Sequence, residues 1–142
     1  MQDEQIQNLK IYKKDNKKFT FLITDDSPFM WKQVRRVIEL IDGEVVGEAN
    51  NGAECIKLYQ KLKPDFVTLD ITMPVMNGLD ALKELKKIDA NAKVIMLTAI
   101  GFEERIKECI LAGAIHYIVK PFKIEEVAKK IYILIKKYFY NE

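Results

Sequence analysis

The sequence predicts an α/β fold: a doubly wound, parallel sheet of five strands with helices on both faces. Two features of the 142-residue chain support this prediction. Five times along the chain, a short apolar run typical of a strand precedes a longer segment whose apolar residues recur at helical spacing. The second to fifth runs are mostly apolar, as expected where helices cover both faces, and each connection is long enough for a right-handed crossover.

The predicted strands cover residues 18–24, 44–49, 65–69, 93–97 and 115–119. The first helix begins after Ser27, a predicted N-cap, and has Pro28 in its first turn, where a missing N–H costs nothing. This helix runs to about residue 41, and Gly43 allows the turn into the second strand.

Turn residues also delimit the other four helices. Pro64 cannot continue the second helix, which begins near residue 53, and Asn77 is the predicted cap of the third. The fourth helix spans about residues 102–112 and is closed by Gly113. The fifth follows Pro121 and carries a continuous apolar stripe of Ile124, Val127, Ala128, Ile131, Leu134, Ile135 and Tyr138.

Residues 1–17 lie outside this pattern and form a predicted N-terminal extension, so the predicted domain covers residues 18–142. Within the extension, residues 9–12 are strand-like and residues 13–18 form a polar turn. If the first strand is central, both of its edges are occupied. We therefore expect the extension to pack on the surface or to stay mobile.

Composition argues against several classes of protein. The chain has 23 Lys and Arg against 21 Asp and Glu, a net charge of +2, which provides no large basic surface for nucleic acid or acidic lipid. No apolar run reaches the length of a membrane span, and the first residues are too polar for a signal peptide, so we expect a cytoplasmic protein without membrane insertion. Cys55 and Cys109 are predicted to be buried, reduced thiols inside helices.

Polar residues able to handle a phosphate stand where four of the predicted strands end. They are Asp25, Asp26, Asp70, Thr98 and Lys120. Because the carboxyl ends of parallel strands share one edge of a sheet, we expect three carboxylates, a hydroxyl and an ammonium group to meet in one crevice.

Four segments around these residues resemble the receiver domain of two-component response regulators: 25–27, 69–78, 97–99 and 117–122. Each segment is a weak signal alone, but four in the right order are specific, and the resemblance extends over about residues 19–138. It implies a flavodoxin-like sheet with strand order 2-1-3-4-5. It also implies that Asp70 accepts a phosphoryl group, and that the bond between Lys120 and Pro121 is cis.

The residue types indicate which cofactor such a reaction requires. Three carboxylates beside one lysine would repel an anionic phosphoryl group, so a divalent cation is needed. The absence of a nearby His or Cys argues against zinc, whereas Mg²⁺ prefers oxygen ligands. We expect Asp26 and Asp70 as direct ligands, Asp25 through water, and the backbone carbonyl of Thr72. Lys120 and Mg²⁺ would neutralise the phosphoryl oxygens while Asp70 attacks.

The resemblance also implies how the signal is passed on. Thr98 would donate to the phosphoryl group, and Tyr117 would rotate inward, which would change the face formed by the fourth helix, fifth strand and fifth helix. The single histidine, His116, has no partner pattern and is expected to be structural, so the phosphoryl group must come from a sensor histidine kinase or a small molecule.

Only four residues follow Tyr138, so the chain is expected to be a stand-alone receiver that acts by binding a protein target, similar to the chemotaxis regulators. We expect no enzymatic activity beyond self-phosphorylation and autodephosphorylation. Ile133 and Tyr140 are predicted to form a small exposed patch, and the chain to be a monomer or a phosphorylation-linked dimer.

Two rival functions remain open from the sequence. One is a Mg²⁺-dependent phosphohydrolase of the haloacid-dehalogenase type, although its nucleophile usually follows the first strand. The other is a receiver-like module that binds its partner without phosphorylation. Two departures from the family pattern, Thr72 and Ile100, flank the path of a hydrolytic water and predict an altered lifetime of the phosphoryl group.

Overall fold

A computed structural model describes residues 9–142 of the chain. In this range it contains five strands and five helices in strict alternation. They are β1 (Thr20–Thr24), α1 (Pro28–Leu40), β2 (Glu44–Ala49), α2 (Gly52–Leu62), β3 (Phe66–Asp70), α3 (Gly78–Ile88), β4 (Val94–Ala99), α4 (Glu103–Leu111), β5 (His116–Lys120) and α5 (Ile124–Tyr140). All strands are parallel, in the order β2-β1-β3-β4-β5, which confirms the predicted fold class and strand order.

Alternating side chains of the strands supply two hydrophobic cores, one on each face of the sheet. On β1, Phe21 and Ile23 belong to the core beneath α1 and α5, whereas Leu22 belongs to the core beneath α2, α3 and α4. The stripe predicted for α5 is buried at Val127, Ala128, Ile131, Leu134 and Ile135. Cys55 and Cys109 are buried free thiols, as predicted.

The predicted helix caps are present. The hydroxyl of Ser27 accepts a hydrogen bond from the N–H of Met30 (3.4 Å), and the side chain of Asn77 accepts one from the N–H of Asp80 (2.9 Å). The turn before β2 differs from the expectation, because its positive φ (60°) falls on Asp42 rather than on Gly43. Gly43 is instead required for space, since a Cβ there would lie 2.9 Å from the Ile38 side chain.

The ends of the strands differ from the predicted bounds by a few residues. Thr98 and Lys120 were expected just after their strands, but both belong to them: Thr98 pairs with Val119, and Ala99 pairs with Lys120. The backbone that carries these two side chains is therefore positioned by the hydrogen bonds between β4 and β5 rather than by a loop.

Residues 9–18 form an N-terminal hairpin that packs against the domain. Leu9 and Ile11 are buried in the core beneath α1 and α5, and the N–H of Ile11 donates to the carbonyl of Ile41 (3.1 Å). Tyr12 and Lys18 form an antiparallel bridge. The rest of the predicted extension, residues 1–8, lies outside the described residues.

The hairpin also contacts the last turn of α5 and the residue that precedes β3. The hydroxyl of Tyr140 donates to the carbonyl of Tyr12, and Lys13 forms an ion pair with Asp65 (3.0 Å). The predicted exposed pair of Ile133 and Tyr140 is therefore wrong for Tyr140, which is half-buried, while Ile133 is 63% exposed. Among residues 9–142, no helix is long and apolar enough to cross a membrane.

Candidate functional site

Three carboxylates meet at the carboxyl edge of the sheet, as the sequence predicts. Asp25 and Asp26 directly follow β1, and Asp70 is the last residue of the neighbouring strand β3. One oxygen of each carboxylate lies within 4.8 Å of one oxygen of the other two. Asp25 and Asp70 are buried, whereas Asp26 is exposed to solvent.

Lys120 reaches this cluster from the edge strand β5. Its Nζ lies 2.9 Å from Oδ2 of Asp25 and 3.3 Å from Oδ1 of Asp70. Burial alone would lower the pKa of Lys120, but hydrogen bonds and the charges of both aspartates outweigh it and raise the pKa. Lys120 is therefore a fixed positive charge between two buried carboxylates. The peptide bond that follows it, to Pro121, is cis.

The buried position of Asp70 makes its negative charge costly. Burial raises the pKa of this carboxyl group to about 6, and the charge of Asp25 adds to the effect. Lys120 and a hydrogen bond from the N–H of Thr72 (3.4 Å) oppose the rise only in part. The protein thus supplies less positive charge than its carboxylates require, which favours a bound cation.

The donor set suits a hard divalent cation. All three clustered ligands are carboxylate oxygens, which Mg²⁺ prefers, and His116 lies at the far end of its strand from Lys120. The charge deficit at Asp70 is a second sign that the residues present fit such an ion.

The loop after Asp70 is packed directly on the backbone of that residue. A Cβ at Gly78 would lie 2.2 Å from the carbonyl oxygen of Asp70, so no other residue fits at this close approach. The N–H of Gly78 donates to the carbonyl of Ile71 (2.7 Å). The start of α3 is therefore packed directly against the end of β3. Thr72, in the same loop, is exposed.

The two residues predicted to form a switch are at different depths. Thr98 is buried, and its hydroxyl donates to the carbonyl of Ala99 (3.2 Å). Tyr117 is 38% exposed on β5, with its ring 5.7 Å from that of His116. The Nδ1 of His116 accepts a hydrogen bond from the N–H of Tyr117, and burial, with the charges of Lys130 and Lys137, lowers the pKa of His116.

Sequence reasoning missed two contacts that hold the acidic pair. The N–H of Ser27 donates to Oδ1 of Asp25 (3.0 Å), although the sequence indicated only a helix cap. The indole Nε1 of Trp31 donates to the backbone carbonyl of Asp25 (2.8 Å). An aspartate two residues before a helix cap could have suggested the first contact, but no pattern in the sequence indicates the second.

Comparisons with known proteins agree with this geometry. Residues 21–132 match the response regulator receiver domain, and the chain belongs to this family. It is 49% identical over 110 residues to the chemotaxis protein CheY of Thermotoga maritima, covering 78% of this chain and 92% of that protein. The corresponding protein of Bacillus subtilis is 46% identical over the same shares.

Solved structures show the same fold. A chain in the crystal structure of the CheX–CheY–BeF3–Mg²⁺ complex from Borrelia burgdorferi is similar with a TM-score of 0.82 and 35% identity, over 87% of this chain and 95% of that one. The response regulator domain of Thermotoga maritima CheB gives a TM-score of 0.75 and 32% identity, over 87% and 98%. The chain is thus a CheY-like receiver domain of two-component signalling.

Proposed function

We propose that the protein is a response regulator that accepts a phosphoryl group on Asp70 and thereby changes its affinity for a protein target. The observation that carries this proposal is the position of the Asp70 carboxylate, 3.3 Å from the Lys120 ammonium and within 4.8 Å of two further carboxylates. Membership of the receiver family supports it.

The transfer reaction would use the side chains in distinct roles. An oxygen of Asp70 attacks the phosphorus, forming an O–P bond while the N–P bond of a phosphohistidine breaks and the leaving imidazole nitrogen takes a proton. Lys120, already between Asp25 and Asp70, is placed to stabilise a phosphoryl oxygen. The product is an aspartyl phosphate, and catalysis depends on positioning and electrostatics.

The carboxylates of Asp26 and Asp70 would hold Mg²⁺ directly, with Asp25 acting through water and Thr72 through its backbone carbonyl. When bound there, Mg²⁺ supplies the positive charge that the site lacks. The raised pKa of Asp70 supports this requirement.

The signal would pass through Thr98 and Tyr117. A new phosphoryl anion at Asp70 gives the Thr98 hydroxyl, which now donates to Ala99, a charged acceptor. Movement of Thr98 would let the exposed ring of Tyr117 turn inward, altering the face formed by α4, β5 and α5. That face also exposes Val119 and Ile133, apolar side chains on which a target could bind.

The pathway we propose is chemotaxis-type signalling with a sensor histidine kinase as phosphodonor. The similarity to chemotaxis proteins of Thermotoga maritima and Bacillus subtilis supports this assignment.

The intact mass of the protein after incubation with acetyl phosphate and Mg²⁺ tests the proposal. We expect the addition of one phosphoryl group, which chelation of the metal and Asp70→Asn both abolish. Asp80→Asn, which removes an exposed carboxylate of α3, is the matched control and should be phosphorylated normally. Release of many phosphates per protein molecule would instead indicate a phosphohydrolase, and target binding unaffected by Asp70→Asn would indicate a phosphorylation-independent module.

A further inference from the structure

Trp31, the one tryptophan of the chain, contacts the backbone that carries the acidic pair. It lies in the first turn of α1, and its ring packs half-buried against the core beneath α1 and α5. Its Nε1 donates to the carbonyl oxygen of Asp25 at 2.8 Å. A side chain that packs against the hydrophobic core thus reaches the functional edge of the sheet through a single polar atom.

The hydrogen bonds of Asp25 show that this residue is fixed on every side. Its N–H donates to the carbonyl of Ala49 (3.0 Å), its two carboxylate oxygens accept from Ser27 and Lys120, and its carbonyl accepts from Trp31. Asp25 therefore needs no further support from a ligand to keep its orientation.

Asp26 is in a different situation. Its carboxylate is exposed, and no other residue in the range 9–142 donates a hydrogen bond to it. The position of this side chain therefore depends on its backbone. The peptide group that joins Asp25 to Asp26 contains the carbonyl that Trp31 holds, so the indole fixes the plane from which the Asp26 side chain extends.

We propose that Trp31 is a positioning residue for a divalent cation at the acidic cluster: its indole N–H fixes the peptide group between Asp25 and Asp26, so that the exposed Asp26 carboxylate is presented to the ion. The inference rests on the proposed function, because it assumes that Mg²⁺ binds at this cluster. Groups that orient metal ligands raise affinity because the ligands lose less freedom when the ion arrives.

The expected change in the free energy of Mg²⁺ binding equals the contribution of one neutral hydrogen bond. Its loss should weaken Mg²⁺ binding about fivefold, because such a bond contributes roughly one kcal/mol. The bond is not itself a contact with the ion, so binding should weaken without being abolished.

Because the chain has a single tryptophan, the indole N–H of Trp31 can be replaced without changing any other residue. Biosynthetic replacement of Trp31 by 3-benzothienylalanine exchanges the indole N–H for sulfur and keeps the shape of the ring. Replacement by 5-fluorotryptophan keeps the N–H and serves as the matched control. Calorimetric titration with Mg²⁺ then gives Kd for the native protein and both forms, and urea unfolding without metal gives their stabilities.

We expect the sulfur analogue to raise Kd about fivefold and the fluorinated form to leave it unchanged within twofold. In an Asp26→Asn background, the two forms should bind Mg²⁺ equally, because the residue through which Trp31 acts has lost its charge. Trp31→Phe should reproduce the loss.

An unchanged Kd in the sulfur analogue, with or without a loss of stability, would overturn the inference and leave Trp31 with a structural role only. An equal loss in the Asp26→Asn background would overturn the route through Asp26. If the native protein binds no Mg²⁺ at all, the proposed function fails first, and that result is visible before any analogue is compared.

Discussion

The carboxyl ends of the strands, which form the carboxyl edge of the sheet, differ in chemistry from the amino ends, which form its amino edge. At the carboxyl edge, three carboxylates and one ammonium group crowd together, and burial raises the pKa of Asp70 to about 6. At the amino edge, aromatic rings pack closely: the ring centroids of Phe19 and Phe139 lie 4.9 Å apart, and those of Phe66 and Phe139 lie 5.6 Å apart. One edge concentrates charge, and the other concentrates apolar contact.

The two edges also differ in whether the receiver family match includes them. The match to the receiver family covers residues 21–132, so the N-terminal hairpin and the last turns of α5 lie outside it. These segments contact each other, through Tyr140 and Tyr12, and close the amino edge. The charged edge therefore lies within the matched region, and the opposite edge is closed by segments outside it.

The largest expected effect is a loss of stability at the amino edge. Phe139→Ala removes a ring that packs on Phe19 and Phe66, and it should lower the free energy of unfolding by about 3 kcal/mol. Urea unfolding measures this loss. The exposed Ile133→Ala is the control, with a change within about 0.5 kcal/mol. If Phe139→Ala also prevented phosphorylation of the folded protein, the two edges would not be independent.

The next effect has the opposite sign at the carboxyl edge. Because folding raises the pKa of Asp70 from about 3.9 to about 6, the folded state binds the proton more tightly. The contribution of Asp70 to stability is then most favourable below pH 4 and falls as pH rises through 6. Asp70→Asn should gain about 1 kcal/mol over the native protein at pH 7.5, after allowance for solvent screening.

Urea unfolding of the native protein and Asp70→Asn from pH 4 to pH 8 measures this difference. It should be near zero at pH 4 and grow through pH 6. Added Mg²⁺ should remove the advantage of Asp70→Asn by stabilising the native carboxylates. A constant difference across the range would contradict the raised pKa.

An effect of similar size is expected on the lifetime of the phosphoryl group. Thr72 and Ile100 are both exposed, the latter 76%, and they follow Asp70 and Thr98 by two residues each, where polar side chains could orient a hydrolytic water. Ile100→Glu and Thr72→Asn should each change the rate of phosphate loss several-fold, about 1 kcal/mol in the barrier. Phosphate loss after rapid removal of the donor measures it, with the exposed Ile110→Glu as control. Equal rates in all three variants would refute the role of these positions.

The smallest effect concerns the contact that closes the amino edge. Tyr140→Phe removes the hydrogen bond to the Tyr12 carbonyl and should cost about 0.5 kcal/mol, because the pair is partly exposed. Tyr138→Phe, which removes the hydroxyl of an exposed tyrosine two residues earlier in α5, is the control. Amide hydrogen exchange should show faster exchange of the Ile11 N–H in Tyr140→Phe only, and equal exchange in both variants would show that the tyrosine does not hold the hairpin.

Local patterns in the sequence predicted most of the fold and the members of the acidic cluster. Strand ends bring Asp25, Asp70 and Lys120 together because the topology of a parallel sheet is so constrained. The contacts of Tyr140 with Tyr12 and of Lys13 with Asp65 could not be predicted, because they join segments far apart in the chain and follow no periodicity. The depth of Thr98 in its strand depends on register, which apolar runs leave open.

The chain has one tryptophan and one histidine, and they lie at opposite edges. Trp31 contacts the backbone of Asp25, whereas His116 opens β5 at the amino edge. Indole fluorescence therefore reports on the charged edge, and the imidazole proton resonances report on the other. One unlabelled sample can therefore show whether a change at the charged edge, such as ion binding, also alters the environment of His116 at the other edge.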